Sequence, residues 1–452
     1  MALVRNLVIV LAHGLRSDAL SDDRSWPLYT PTLERLAQRG ARLVATSASP
    51  ADGAGTASLL TGLHARQHGF YGDGPIPPLA QALPRWLAEA GYHVAGVGCV
   101  GPVQRWLHEA VPVAPVDQLE PAGCAYWSAM GTRKLAGALQ KQREQRLRSG
   151  PFEPHRLLLE PEDDIDGFIG REAAGMLKRM PGDMPWALLV MFSGPGNDLP
   201  PPTLYESVVE PAALQGGFVP ADLRQLDALA EPAYPRALLQ RLEPHTVGRI
   251  RADYLGRVSL LDFSLNRLMR GLRQRADGER TWTVVGSDRG HLLGEHGLIG
   301  PRSFLAGAVE VPVLVVPPED GRGAARLVSE GLVSTVDVAA TAVALGSCDR
   351  PAVMAGRSLL PALTGEGELP DPPGGNISEF GDRLMLETER FRAVYDRRTG
   401  QCMGLYDLLH DPDERANLVE TPRGRNLVDA LRWRVAEALM PLRAVTGVYA
   451  GC

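Results

Sequence analysis

Residues 281–300 read TWTVVGSDRGHLLGEHGLIG. An apolar run from Trp282 to Val285 predicts a short strand that stops at Gly286-Ser287-Asp288. Glycines at 290, 294, 297 and 300 follow, and among them stand Arg289, His291, Glu295 and His296. A strand end that releases this many ionisable side chains into permissive backbone fits the place where α/β sheets put their sites, beyond the carboxyl ends of parallel strands. A glycine-rich surface loop with solvated charges reads the same residues as well, and both readings stay open at this point.

The chain around it has 452 residues, 44% hydrophobic and 22% charged, with a formal net charge of −6. Those are the proportions of a globular protein, and the charge offers no general attraction for nucleic acid or an anionic membrane. No stretch reaches the length needed to span a bilayer. Five cysteines (99, 124, 348, 402 and 452) are odd in number and contain no CxxC spacing. That argues against a disulfide framework and for a reducing compartment. Leu7 to Leu11 is too short for a signal-peptide core and reads as a first strand, so a cytoplasmic protein is expected.

Taken in order, the strand at 7–11 ends in Ala12-His13-Gly14, with Arg16 and Asp18 beyond. Thr30-Pro31 predicts a capped helix closed by Gly40, and Leu43-Val44 a second strand. Asp52, Gly53, Gly55 and Thr56 form a loop leading into a helix over 57–63. This is either an anion-binding helix start or an ordinary helix capped by Thr56. Leu79, Leu83, Trp86 and Leu87 follow helical spacing, and strands are predicted at 93–97 and 187–192. Residues 100–180 read as irregular, and 197–244 as a loop-rich insertion. A long amphipathic helix runs from Ile250 to Leu272, a strand covers 311–316 and a helix 336–345.

The alternation predicts a doubly wound, mostly parallel α/β sheet over residues 1–365. After the proline- and glycine-rich stretch 365–375, short strands at 384–386, 391–395 and 404–408 and a helix at 425–442 predict a small α+β subdomain of antiparallel strands over 366–452.

The ordered segments LVIVLAHGLRSDAL (7–20), TASLLTGLHARQHG (56–69), VVGSDRGHLLGEHGLIG (284–300), VSTVDVAATAVAL (333–345) and LYDLLHDPDERANL (405–418) resemble the type I sulfatase family of the alkaline phosphatase superfamily. The resemblance covers nearly the whole chain and implies that family's fold. It also implies a divergent site. The family's formylglycine precursor, a cysteine or serine, matches Asp52, with Ala54 at its motif proline and Thr56 at its arginine. The aspartate pair that binds the divalent cation matches His13 and Gly14, and the later Asp-His or Asp-Asn pair matches Asp288 and Arg289. Further supporting positions match Cys99, Gly101, Gly196 and Pro301. Asp288 is then the one surviving metal candidate. No cofactor is expected, with Ca²⁺ or Mg²⁺ only if the family's metal site persists in altered form.

Two functions follow. One is a repurposed, metal-independent enzyme acting on a small anionic substrate. His13, Asp52, Thr56 and Asp288 would be its catalytic groups, and Arg289, His68 and His291 would bind substrate. The other is a non-catalytic pseudo-sulfatase that binds a ligand, a protein partner or a second copy of itself. A sulfuric or phosphoric ester hydrolase ranks below both.

Overall fold

The computed structural model describes residues 5–20, 26–72, 74, 82–99, 103, 113–115, 124–154, 158–206, 208–216, 228–319, 332–369 and 371–439. Leu79, Gly101, Cys452 and residues 440–442 of the expected last helix lie outside this set.

Continuous apolar runs make the centre of the sheet. Strands β1 (Asn6–Ala12), β2 (Ala41–Thr46), β3 (His93–Gly98), β4 (Val113–Pro115), β5 (Trp186–Phe192) and β6 (Thr281–Gly286) come first. A small ribbon, β7 (Leu292–Leu293) with β8 (Ile299–Gly300), precedes β9 (Glu310–Val316) and β10 (Val333–Ser334). Every residue of β1, β5 and β6 is buried, as in strands covered by helices on both faces. The order is β10-β2-β9-β6-β1-β5-β3-β4, an α/β sheet that is parallel except for β9, which runs antiparallel to β2 and β6. The exception has a simple cause. No crossover returns the chain to the far edge between β6 and β9, so it re-enters from the end where β6 left off.

The helix Pro244–Arg273 is longer than the run at 250–272 suggested. It packs against the helix Ile165–Leu177, where a Cβ at Gly170 would lie 2.9 Å from the Ser264 carbonyl oxygen. That second helix, with Ala125–Thr132 and Ala136–Ser149, corrects the reading of 100–180 as irregular. Capping also differs from expectation. Thr30 makes no side-chain cap; instead the Asp262 carboxylate, from the long helix, accepts the N–H groups of Thr32 and Leu33 at 2.9 and 2.8 Å. The helix expected over 57–63 is Ala54–Thr61, and Gly53 with φ 73° stands at its start, not Thr56.

Beyond residue 365, β11 (Asn376–Phe380), β12 (Arg383–Glu387), β13 (Phe391–Asp396) and β14 (Cys402–Asp407) form an antiparallel sheet in sequential order, followed by the helix Pro422–Leu439. The first of these four strands was not foreseen. This unit has its own small core around Leu386, Ala393 and Leu405, while Phe380 packs on Phe304 of the larger one. Among the described residues no helix is long and apolar enough to cross a membrane.

Candidate functional site

Because β1 pairs in parallel with β6, Leu11 lies beside Gly286, and the segments leaving both strands emerge side by side. Ser287 stitches them: its Oγ accepts the Leu15 N–H at 3.0 Å and lies 2.7 Å from the Ala12 carbonyl oxygen. The loop after β2 closes over them, with the Ser47 hydroxyl 2.6 Å from the Asp288 carbonyl oxygen. A Cβ at Gly55 would sit 2.9 Å from that same oxygen, so glycine is what lets the helix start come so close. The segment after β5 completes the enclosure. Gly14, at φ 76°, faces Gly196 so tightly that a Cβ would lie 2.6 Å from the Gly196 Cα.

Four ionisable side chains meet there. His13 Nδ1 lies 3.0 Å from Asp288 Oδ2, and its Nε2 lies 2.9 Å from the Cys99 carbonyl oxygen. Thr56 donates its hydroxyl to the same Asp288 oxygen at 2.8 Å. Arg289 reaches the other, Oδ1, at 3.4 Å, and forms an ion pair with Asp52. Asp52 is 60% exposed, whereas Asp288 and Arg289 are buried. Both partners of His13 are acceptors only, so satisfying both requires a proton on each ring nitrogen. Burial opposes that charge, but the Asp288 carboxylate outweighs it and raises the His13 pKa above the ordinary 6.5. Burial would push the Asp288 carboxyl up, yet His13, Arg289 and Thr56 together hold it well below the carboxylate range. Burial likewise disfavours the Arg289 cation, and Asp52 and Asp288 reverse the effect. One donor is left over: the buried Nε–H of Arg289 has no partner among the described residues.

The other expected site residues, His291 and His68, make contacts of their own. His291 is buried close to the cluster: a Cβ at Gly196 would lie 3.1 Å from its Nδ1 and 3.3 Å from the His13 carbonyl oxygen. Its Nε2 is 2.8 Å from Asp198 Oδ1, its ring stacks on Tyr254, and its Nδ1 has no partner. The space beside it, lined by Asp198, Tyr254 and His291, measures about 10 Å³, enough for one water molecule. His68 is also buried. Its Nδ1 accepts the Phe70 N–H at 3.2 Å, its Nε2 lies 2.9 Å from Ser58 Oγ, and burial pushes its pKa down to about 4. That is a neutral imidazole bracing a turn. Arg16, by contrast, supports the site from below. It binds Asp18 at 2.7 Å, Glu295 at 2.6 Å and the His291 carbonyl at 3.0 Å.

The sequence reading named neither the Cys99 carbonyl nor Asp198. The first is backbone and carries no residue signal. The second could have been suspected from its place just past β5.

Comparison with known proteins places this arrangement. The family model described as Sulfatase matches residues 5–347. The chain belongs to the sulfatase family. It is 24% identical to the uncharacterized sulfatase YidJ of Escherichia coli over 434 residues, covering 92% of this chain and 84% of that protein. It is 24% identical over 505 residues to the multifunctional alkaline phosphatase superfamily protein PehA of Trinickia caryophylli, covering 96% of each. Among solved structures, the phosphonate monoester hydrolase of Agrobacterium radiobacter superposes with a TM-score of 0.80 at 20% identity, covering 96% of both chains. This sulfatase-family chain therefore shares the architecture of hydrolases on sulfur and phosphorus esters.

Proposed function

We propose that this sulfatase-family chain does not hydrolyse sulfate esters and instead binds a small oxyanion where β1, β2 and β6 end. The observation that carries this reading is the saturation of the cluster. Both nitrogens of His13 face acceptors, and both oxygens of Asp288 are engaged by donors. A base needs a free lone pair at its reacting nitrogen, and an imidazolium wedged between a carboxylate and a carbonyl has none. The residues do not fit a divalent cation either. Ca²⁺ and Mg²⁺ need around six oxygen ligands, whereas here one buried carboxylate lies between an imidazolium and a guanidinium. Two cations and two carboxylates balance one another, and the charge of His13 and Arg289 stands where the family's metal charge would. The orphaned Nε–H of Arg289 supports the binding half of the proposal, because a buried donor is costly to leave unmet and suits an anionic oxygen.

The test is turnover of p-nitrophenyl sulfate and of a phosphonate monoester, with and without added Ca²⁺ or Mg²⁺. No turnover above background is expected in any arm, and robust hydrolysis contradicts the proposal. Calorimetry with inorganic sulfate tests the binding half, with binding expected for the wild type and loss in Arg289→Met. One observation favours the repurposed-enzyme reading instead: the Asp52 carboxylate, though paired with Arg289, is mostly exposed and within reach of a substrate from solvent. An activity abolished by Asp52→Ala would decide for it.

A further inference from the structure

A second, larger cleft of about 830 Å³ lies where the α/β domain meets the C-terminal sheet and its last helix. None of His13, Asp52, Asp288 and Arg289 lines it. Its polar wall is built from one connected network. The Gly62 carbonyl accepts the N–H groups of Ala355 and Gly356 at 2.9 and 3.2 Å. Arg350 Nη1 donates to the carbonyls of Met354 and Gly356 at 2.9 and 3.0 Å. Asp337 accepts from the backbone of Arg357 at 2.6 Å and from the backbone of Ser334 at 2.9 Å. A side chain at Gly356 would collide with the Val336 carbonyl, so the 350–357 loop is seated hard against the helix Val336–Leu345.

The site is built but not satisfied. Ser334 is 3% exposed, and its hydroxyl has no hydrogen-bond partner among the described residues. The buried Nδ1 of His64, on the same cleft, is in the same state. Burial, with Arg66 and His68 nearby, keeps that imidazole neutral, so it can turn an N–H toward an acceptor. Arg350 donates to carbonyls and forms no ion pair among the described residues. Leaving a buried hydroxyl unmet costs about 1–3 kcal/mol, and native structures seldom tolerate it without a partner. Pro361, Pro372 and Ile377 add apolar lining to the cleft, which also carries the carboxylates of Asp371 and Glu437 beside the guanidinium groups of Arg66, Arg350 and Arg357.

We propose that this cleft binds a small organic oxyanion, a carboxylate or phosphate carried on an apolar body. Arg350 and Ser334 take the anionic end, and Pro361, Pro372 and Ile377 take the body. The inference does not depend on the reading of the His13 pocket.

Calorimetry on the full chain tests it with phenyl phosphate, benzoate, inorganic phosphate and benzyl alcohol as probes. Saturable binding is expected for phenyl phosphate or benzoate, about tenfold tighter than for inorganic phosphate and absent for benzyl alcohol. The tighter of the two organic anions identifies the head group. Ser334→Ala and Arg350→Gln are each expected to weaken that binding about tenfold, and Arg289→Met to leave it unchanged. Ser334→Ala removes one hydroxyl that holds nothing else, so its effect stands even if Arg350→Gln loosens the loop. No saturation by either organic anion, equal binding in both variants, or loss only in Arg289→Met would overturn the proposal. The last outcome would assign the binding to the His13 pocket instead.

Discussion

Two buried ion clusters in this molecule use similar groups to different effect. At the sheet's carboxyl edge, His13, Asp288, Arg289 and Asp52 alternate in sign, two against two. Between the two sheets, Arg392 is the one cation among the described residues that pairs with Glu310, Glu387 and Glu414, with Thr46 and the Ala306 N–H adding hydrogen bonds. The first cluster is neutral as it stands. The second has more carboxylates than its one cation can neutralise, and burial raises the pKa of Glu310 and of Glu414 against the pull of Arg392. A balanced cluster has no net charge for a cation to offset, while an unbalanced one must hold protons. The contrast underlies our proposal that the site at the strand ends takes no metal, and it predicts that the joint between the sheets is sensitive to pH.

Breaking each cluster separates them. Arg392→Met leaves the buried Glu387 and Glu414 and the part-exposed Glu310 without their cation and should cost about 5 kcal/mol, read as a lowered urea midpoint. Arg289→Met strands less, because Asp52 is exposed and Asp288 keeps His13 and Thr56, so about 3 kcal/mol is expected.

Both clusters should lose stability as pH rises, and they should differ on the acid side, where the Asp288 contribution is lost. The raised pKa of His13 gives stability that is full below 6.5 and is lost as pH rises through its folded value. The lowered pKa of Asp288 gives stability present above 3.8 and lost as pH falls. The stability gap between wild type and His13→Leu should therefore be widest between those limits and narrow at higher pH. Glu414, raised above 4.5, contributes most below that pH and less as pH rises. Glu414→Gln should accordingly flatten the decline of stability above pH 4.5. The smallest effect expected is from Thr56→Val, which removes one hydrogen bond to Asp288 for about 1 kcal/mol, measurable in the same urea series.

Much of this was legible in the sequence, for reasons that also explain what was missed. β1, β5 and β6 are buried on both faces and so read as unbroken apolar runs. The helix Val336–Leu345 falls where it was expected. The helix Ala136–Ser149 is dominated by Gln, Arg and Lys and shows no apolar stripe, and β11 is a five-residue NISEF run just past a proline–glycine stretch. Periodicity had nothing to work on in either. Direction was hidden too, since β9, though antiparallel to β6, is as apolar as the parallel strands β1 and β5. At the site, strand-end loops brought His13, Asp52, Thr56, Asp288 and Arg289 together as expected. Their pairing was another matter, because the second partner of His13 is a carbonyl 86 residues away.

That second bond calls for a proton on each His13 ring nitrogen, and the proposed function rests on it. Nitrogen NMR of the His13 ring at pH 6, with and without stoichiometric Ca²⁺, measures this directly. The expected result is an imidazolium with both nitrogens protonated and signals unmoved by the metal. A neutral ring at pH 6, or a ring displaced by calcium, would contradict the account.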